Sequence, residues 1–209
     1  MVKRVIFDLD NTLIIPNYYE MQKYLKSIFP EVICTDAKNI NDLLFRYEKE
    51  FDRYEKSNLN KYINNHCNIK MTREIFNELI KTTLNIPQQD FDESKDLLKY
   101  LKSKGYEIVI LTNWFKDIQC EKLKIAGLLE YIDEIYSGEE FLKPSRESFE
   151  SALGDHKKTE CIMVGDNLNT DILGAIKSGI QAIYLNKNKD YIKDDIIQIN
   201  SIKELKDFL

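Results

Sequence analysis

The chain has 209 residues, 43% of them hydrophobic and 31% charged, with a formal net charge of −5. That is enough apolar side chain for one domain with an insert or two modest domains, and it offers no dominant basic block to neutralise nucleic-acid phosphates. A membrane role is not expected either: no apolar run approaches the ~20 residues that span a bilayer, and the short run Val5–Phe7 leads straight into acids, unlike a signal peptide.

Four cysteines, Cys34, Cys67, Cys120 and Cys161, stand far apart with no C-x-x-C pair. Free thiols and a cytoplasmic location are the expectation. Val5-Ile6-Phe7 reads as a strand buried on both faces. It stops at Asp8, and Asp10 follows two residues on; ionised carboxylates belong where a strand leaves the core. From Pro16 to Pro87 the pattern is helical, without a clear strand. Tyr19–Ile28 fits one helix. Asn39 would cap a longer one, since Ile40, Leu43, Leu44, Tyr47, Phe51 and Tyr54 recur at helical spacing. Asp52 and Lys56 would pair on its surface. Arg46-Tyr47-Glu48-Lys49 returns as Arg53-Tyr54-Glu55-Lys56, but two heptads are too few for a coiled coil. Asn58–Asn68 is polar and reads as a loop. Thr72 would cap a helix to about Leu84, with Ile75, Leu79 and Ile80 inward.

Near Asp90 strands and helices begin to alternate. Asp92 or Ser94 starts a helix with Leu97, Leu98 and Leu101 that ends at Gly105. Ile108–Leu111 is a strand, Phe115–Ala126 a helix closed by Gly127, and Tyr131–Tyr136 holds a short strand. Ser145 caps a helix to Leu153. Cys161–Val164 is a strand, Thr170–Ser178 a helix, Ala182–Leu185 and Ile196–Ile199 are strands, and Ser201 caps a last helix. This alternation predicts an α/β fold with a parallel, doubly wound sheet, interrupted after its first strand by an inserted helical domain.

Three apolar strands end in polar residues: at Asp8, at Thr112-Asn113, and at Gly165-Asp166 with Asp171 five residues on. In a parallel sheet these endings share one edge, where ligands bind. Lys143-Pro144, after another strand, would reach the same edge. Carboxylates suit Mg²⁺, while a hydroxyl, N–H groups and an ammonium suit an anion, together a layout for phosphoryl transfer. Singly, each residue has an ordinary reading: Asp10 an Asx-turn, Thr112 an N-cap, Lys143 a solvated lysine, Asp166 and Asp171 helix-start acids.

The ordered set resembles the haloacid dehalogenase (HAD) superfamily. Asp8-Leu9-Asp10-Asn11-Thr12 matches D-x-D-x-T, Leu111-Thr112-Asn113 the second motif, Lys143-Pro144 the lysine motif, and Gly165 to Asp171 G-D-x-x-x-x-D. The resemblance implies a Rossmann-like core, residues 1–15 and 90–209, with an α-helical cap, residues 16–89. It implies a phosphatase acting on a small phosphorylated metabolite with Mg²⁺ as cofactor. Asp8 would be the nucleophile, forming an aspartyl phosphate, and Asp10 the acid and base. Asp8, the Asp10 carbonyl and Asp166 would hold the ion. Thr112, the Asn113 amide and Lys143 would hold the phosphoryl group, with Asp171 and Thr12 in support. Trp114 stands where many members have Gly, either facing the leaving group or cap or simply packed into the domain interface. The stretch before Lys143 lacks the Gly often found close to it. In the cap, Tyr18, Tyr19, Arg46 and Arg53 are candidates for substrate contact; His66 and, in the core, His156 read as structural or solvated. A phosphomutase, or a binding protein on the same core, is the alternative; Asp10 argues against dehalogenation. The oligomeric state is left open.

Overall fold

Val5, Ile6 and Phe7 are fully buried, and their side chains alternate between two apolar layers, Val5 and Phe7 in one and Ile6 in the other. That alternation follows from the two-residue period of a strand with protein on both faces. The strand lies near the middle of a sheet in a computed structural model that describes residues 1–16, 18–30, 40–84, 91–189 and 195–209, with only the backbone described at Ile40, Asn41 and Phe91.

The strands are β1 (Arg4–Phe7), β2 (Glu107–Thr112), β3 (Glu134–Ser137), β4 (Cys161–Gly165), β5 (Gln181–Leu185) and β6 (Ile197–Ile199). They form a six-stranded sheet in the order β3-β2-β1-β4-β5-β6. Every pairing is parallel, so the fold is the expected doubly wound, Rossmann-like α/β sheet. Leu97, Leu98 and Leu101 of α5 (Phe91–Ser103) cover one face; Phe149 and Ala152 of α7 (Arg146–Ala152) and Ala175 of α8 (Leu173–Lys177) cover the other. α6 (Lys116–Ile125) follows β2. Phe7 lies beside Ile110 and Val164 in register, so β1, β2 and β4 run out of sheet at the same level.

Between β1 and α5 come α1 (Tyr18–Ile28), α2 (Ile40–Glu50), α3 (Lys56–His66) and α4 (Arg73–Thr82). Met21, Leu43, Tyr47, Leu59, Phe76 and Leu79 build a separate apolar cluster there, which reaches Phe115, Ile118 and Leu142 of the sheet-bearing part. Thr72 caps α4 as its position predicts, its hydroxyl accepting from the Ile75 N–H.

Several expectations are corrected in this stretch. Asn58–Asn68 is not a loop: α3 occupies most of it, burying Leu59, Tyr62 and Ile63 on one face of an otherwise polar helix. The spacing that carried α2 on to Tyr54 misleads, because the helix ends at Glu50. There the backbone turns to the sheet side instead, with Tyr54 N–H bonded to Gly138 O at 2.6 Å and Leu142 N–H to Asp52 O at 3.0 Å. Lys56 therefore pairs with Asp117 at 2.6 Å rather than with Asp52. Ile75 is only partly buried and Phe76 takes its inward place. Cys120 and Cys161 are free, but Cys67 is disulfide-bonded. The expectation of four free thiols fails there, and with it the thiol argument for a reducing compartment. Asn39, Cys34, Pro87 and Asp90 lie outside the described residues. The helix expected from Thr170 begins earlier, as a π-turn over Leu168–Ile172. None of the described helices is long and apolar enough to cross a membrane.

Candidate active site

Past Phe7 the chain folds back tightly: the carbonyl of Leu9 accepts from the N–H groups of Thr12, Leu13 and Ile14. The turn passes through a left-handed residue, Asn11, at φ 65°. Asn tolerates that region better than most residues. The turn brings the Thr12 hydroxyl under the first acid, where it donates to Asp8 Oδ2 at 3.1 Å and lies 3.3 Å from Asp166 Oδ1.

Asp8 is 8% exposed, and the Lys143 ammonium, itself 3% exposed, bonds its Oδ1 at 2.6 Å. Asp171 holds the same ammonium at 2.8 Å. Two glycines make this approach possible. A Cβ on Gly165 would stand 2.3 Å from Asp171 Oδ2, and one on Gly138 would stand 2.2 Å from the Asn113 carbonyl. Lys143 does reach the site without a glycine immediately before it, because Asn113 grips its backbone from both sides. Asn113 Oδ1 accepts from Lys143 N–H at 2.7 Å, and Nδ2 donates to Lys143 O at 3.1 Å. The Asn113 side chain is thus a brace for the lysine segment.

Carboxylate oxygens of Asp8, Asp166 and Asp171 all lie within 4.8 Å of one another. Crowded charge in a dry place disfavours ionisation. Burial, then the charges of Asp171 and Asp166, hold the Asp8 carboxyl well above its ordinary range even though Lys143 opposes them. Burial and Asp171 push Asp166 up to about 6. Burial works against the Lys143 ammonium, but Asp171 and Asp8 outweigh it and raise its pKa.

Asp10 points elsewhere. Its Oδ1 meets Lys122 at 2.8 Å and its Oδ2 accepts from Gln119 Nε2 at 2.8 Å. Gln119 also donates to Thr112 Oγ1 at 2.7 Å, and Trp114 N–H approaches the same oxygen at 3.4 Å. With both acceptor positions of the Thr112 hydroxyl taken, its own proton is left to donate. Gln119 and Lys122 were not singled out from sequence. The available signal was two polar residues, three apart, set into α6 beside Ile118 and Leu123, where both are buried.

These groups open into a cavity of about 310 Å³. Among the cap candidates, Tyr18 lines it; Tyr19, Arg46 and Arg53 are not among its lining residues, and Glu48, unforeseen, is. Trp114 lines the cavity and packs edge-on against Tyr54 at 5.5 Å. His66 meets the Tyr62 carbonyl and His156 meets Glu107, both away from the cavity.

The sequence model of haloacid dehalogenase-like hydrolases matches residues 2–179. The chain belongs to this family. Among similar proteins, the glyceraldehyde 3-phosphate phosphatase of Methanothermobacter thermautotrophicus is 28% identical over 100% of both chains. The pyrophosphatase PpaX of Halalkalibacterium halodurans is 26% identical over 100% of this chain and 97% of its own. Among solved structures, the HAD-hydrolase YfnB of Bacillus subtilis bound to magnesium aligns with a TM-score of 0.76 at 20% identity, covering 99% of this chain and 98% of that one. For this HAD-like hydrolase the structural likeness extends the shared fold through the helical insert as well as the sheet.

Proposed function

We propose that the protein is a Mg²⁺-dependent phosphatase of small phosphorylated metabolites that works through an aspartyl phosphate on Asp8. Full-length similarity to a glyceraldehyde 3-phosphate phosphatase and to a pyrophosphatase supports hydrolysis of a phosphoryl group. The observation that carries the reading is the buried ion pair between Asp8 and Lys143 at 2.6 Å, with a second acid, Asp10, held apart from it on the same turn. One carboxylate is thereby kept as nucleophile and the other as proton carrier.

The donor set fits a hard divalent cation. It is all oxygen, and three clustered carboxylates face one ammonium; burial first, and then this excess of negative charge, raise the pKa of Asp8 and Asp166. Asp8, Asp166 and the Asp10 carbonyl would hold the ion; Asp171 is already tied to Lys143. Bound there, Mg²⁺ supplies charge that offsets repulsion between a carboxylate nucleophile and a phosphoryl dianion. Lys143 fixes one Asp8 oxygen and Thr12 the other. Asp8 attacks phosphorus as the bond to the leaving oxygen breaks, and Asp10 gives that oxygen its proton. Asp10, now ionised, takes a proton from water as the water attacks phosphorus, and the bond to Asp8 breaks to free phosphate. Thr112 donates its hydroxyl proton to a phosphoryl oxygen, with the Asn113 main-chain amide beside it.

On this reading residues 1–15 and 90–209 form the catalytic core, and residues 16–89 form a cap that closes over the cavity and excludes water. The test is turnover of p-nitrophenyl phosphate with Mg²⁺ and with EDTA, in wild type and Asp8→Asn. Loss of at least about 10⁴-fold in the variant is expected, together with a hydroxylamine-sensitive phosphoprotein in wild type only. Undiminished turnover by Asp8→Asn would remove the proposal.

A further inference from the structure

The cavity has two unlike halves. The sheet side presents the aspartates, Thr112 and the two lysines. The helical side presents mainly carbon: Tyr18, Met21, Leu44, Phe45 and Tyr54, together with Glu48 as its one carboxylate among the described residues. Among those residues the cations lining the cavity are Lys122 and Lys143, and both are already paired, with Asp10 and with Asp8 and Asp171.

Glu48 is fixed in this wall. The Tyr54 hydroxyl donates to its Oε1 at 2.9 Å. Tyr54 is 1% exposed, stacked on Tyr47 at 5.1 Å and edge-on to Trp114 at 5.5 Å, so the donor cannot follow a moving carboxylate. Burial raises the Glu48 pKa, against the Tyr54 hydrogen bond and the charge of Lys143; Glu48 lines the same cavity as Asp8, Thr112 and Lys143.

We propose that Glu48 is a charge filter for the leaving group: it accepts a hydroxyl or ammonium donor and rejects a second anionic group. This rests on the phosphatase reading above and names the substrate class, monophosphates of small donor-bearing molecules. A second phosphoryl group in the helical half would face a carboxylate in a poorly solvated wall, with no unpaired cation among the lining residues to offset it. Like charges set together there repel strongly. A hydroxyl or ammonium instead replaces the water it sheds with a bond to a charged acceptor. The rings around it supply area and shape, not charge.

Binding reads the filter without turnover. Dissociation constants are measured by calorimetry at pH 7.5 in excess Mg²⁺ for propylphosphonate, 3-hydroxypropylphosphonate, 3-aminopropylphosphonate and propane-1,3-bisphosphonate. Wild type is expected to bind the hydroxyl and amino forms about fivefold tighter than the propyl form, and the bisphosphonate about tenfold weaker. In Glu48→Gln the amino preference is expected to vanish and the bisphosphonate penalty to shrink to about threefold. A flat ranking in wild type, or the same ranking in Glu48→Gln, overturns the filter. The wild-type ranking is decisive even if the variant misfolds. The matching esters are assayed in parallel: hydrolysis with a flat ranking removes the filter alone, whereas the expected ranking without hydrolysis keeps the filter and removes the phosphatase reading.

Discussion

At the sheet edge the charged side chains hold one another; across the cavity the helical insert contributes rings, aliphatic carbon and one carboxylate. The edge is built by register. β1, β2 and β4 end level with each other, so Asp8, Thr112 and Asp166 converge whatever fills the loops. The insert is built by docking, through Tyr54 N–H on Gly138 O, Leu142 N–H on Asp52 O and Lys56 on Asp117. On the proposed reading, one half carries the chemistry common to phosphate esters and the other tells one ester from another.

If that division holds, the largest effect after loss of Asp8 belongs to a residue of the edge. Lys122→Met keeps much of the side chain's length and apolar bulk but removes the ammonium 2.8 Å from Asp10 Oδ1. A positioned acid and base contributes roughly 10²–10⁴-fold. We expect kcat on p-nitrophenyl phosphate to fall about 10²-fold with KM within about threefold, because the Lys122 ammonium is paired with the proposed acid and base, Asp10. A rise in KM with kcat unchanged would place Lys122 with the specificity groups and blur the division.

The same division explains what could be read in advance. Strand ends announce themselves: Val-Ile-Phe, Val-Ile-Leu and Ile-Met-Val each stop at a polar residue, and a parallel sheet does the rest. Lys143 was legible as a type but not as a reach, since its placement depends on Asn113 gripping its backbone. Gln119 and Lys122 were hidden because polar residues on a helix are usually solvated, and only packing of α6 under the edge turns them inward. In the insert, periodicity ran past the end of α2. Tyr54 keeps the helical spacing but is buried by the turn that docks it to Gly138. α3 was missed because its buried face is three residues wide among asparagines and lysines. Glu48 faces the cavity only because of where α2 is docked, which no local pattern encodes.

A smaller effect tests the crowding of charge at the edge. Asp166 titrates at about 6 in the folded protein against an ordinary 3.8. The folded state therefore binds more protons than the unfolded state between those values, and this group makes the metal-free protein less stable as pH rises through that window. Melting in EDTA should show Asp166→Asn gaining on wild type from about pH 4 to about pH 6 and holding that gain above it. Mg²⁺ should raise the wild-type melting temperature more than that of the variant. A difference between the two proteins that stays constant over this range would mean the carboxylates are not crowded as described.

The smallest effect is the sharpest comparison, because it sets the same substitution in the two regions. Thr72 and Ser145 each cap a helix with a hydroxyl 3.3 Å from the N–H three residues on, Thr72 in the insert and Ser145 beside Lys143-Pro144. Replacing either by Ala should lower stability by about 1 kcal/mol. The consequences should then part. α4 carries Phe76, Leu79 and Ile80 into the insert's own cluster, so Thr72→Ala should leave kcat unchanged while the protein is folded. The chain entering α7 carries Lys143, whose ammonium must stay within 2.6 Å of Asp8 and 2.8 Å of Asp171. Misplacement by about 1 Å can cost 10²-fold in rate. Ser145→Ala should therefore lower kcat severalfold at equal loss of melting temperature. Equal kcat in the two variants would show that the brace from Asn113 suffices alone and that the cap at Ser145 serves only the helix.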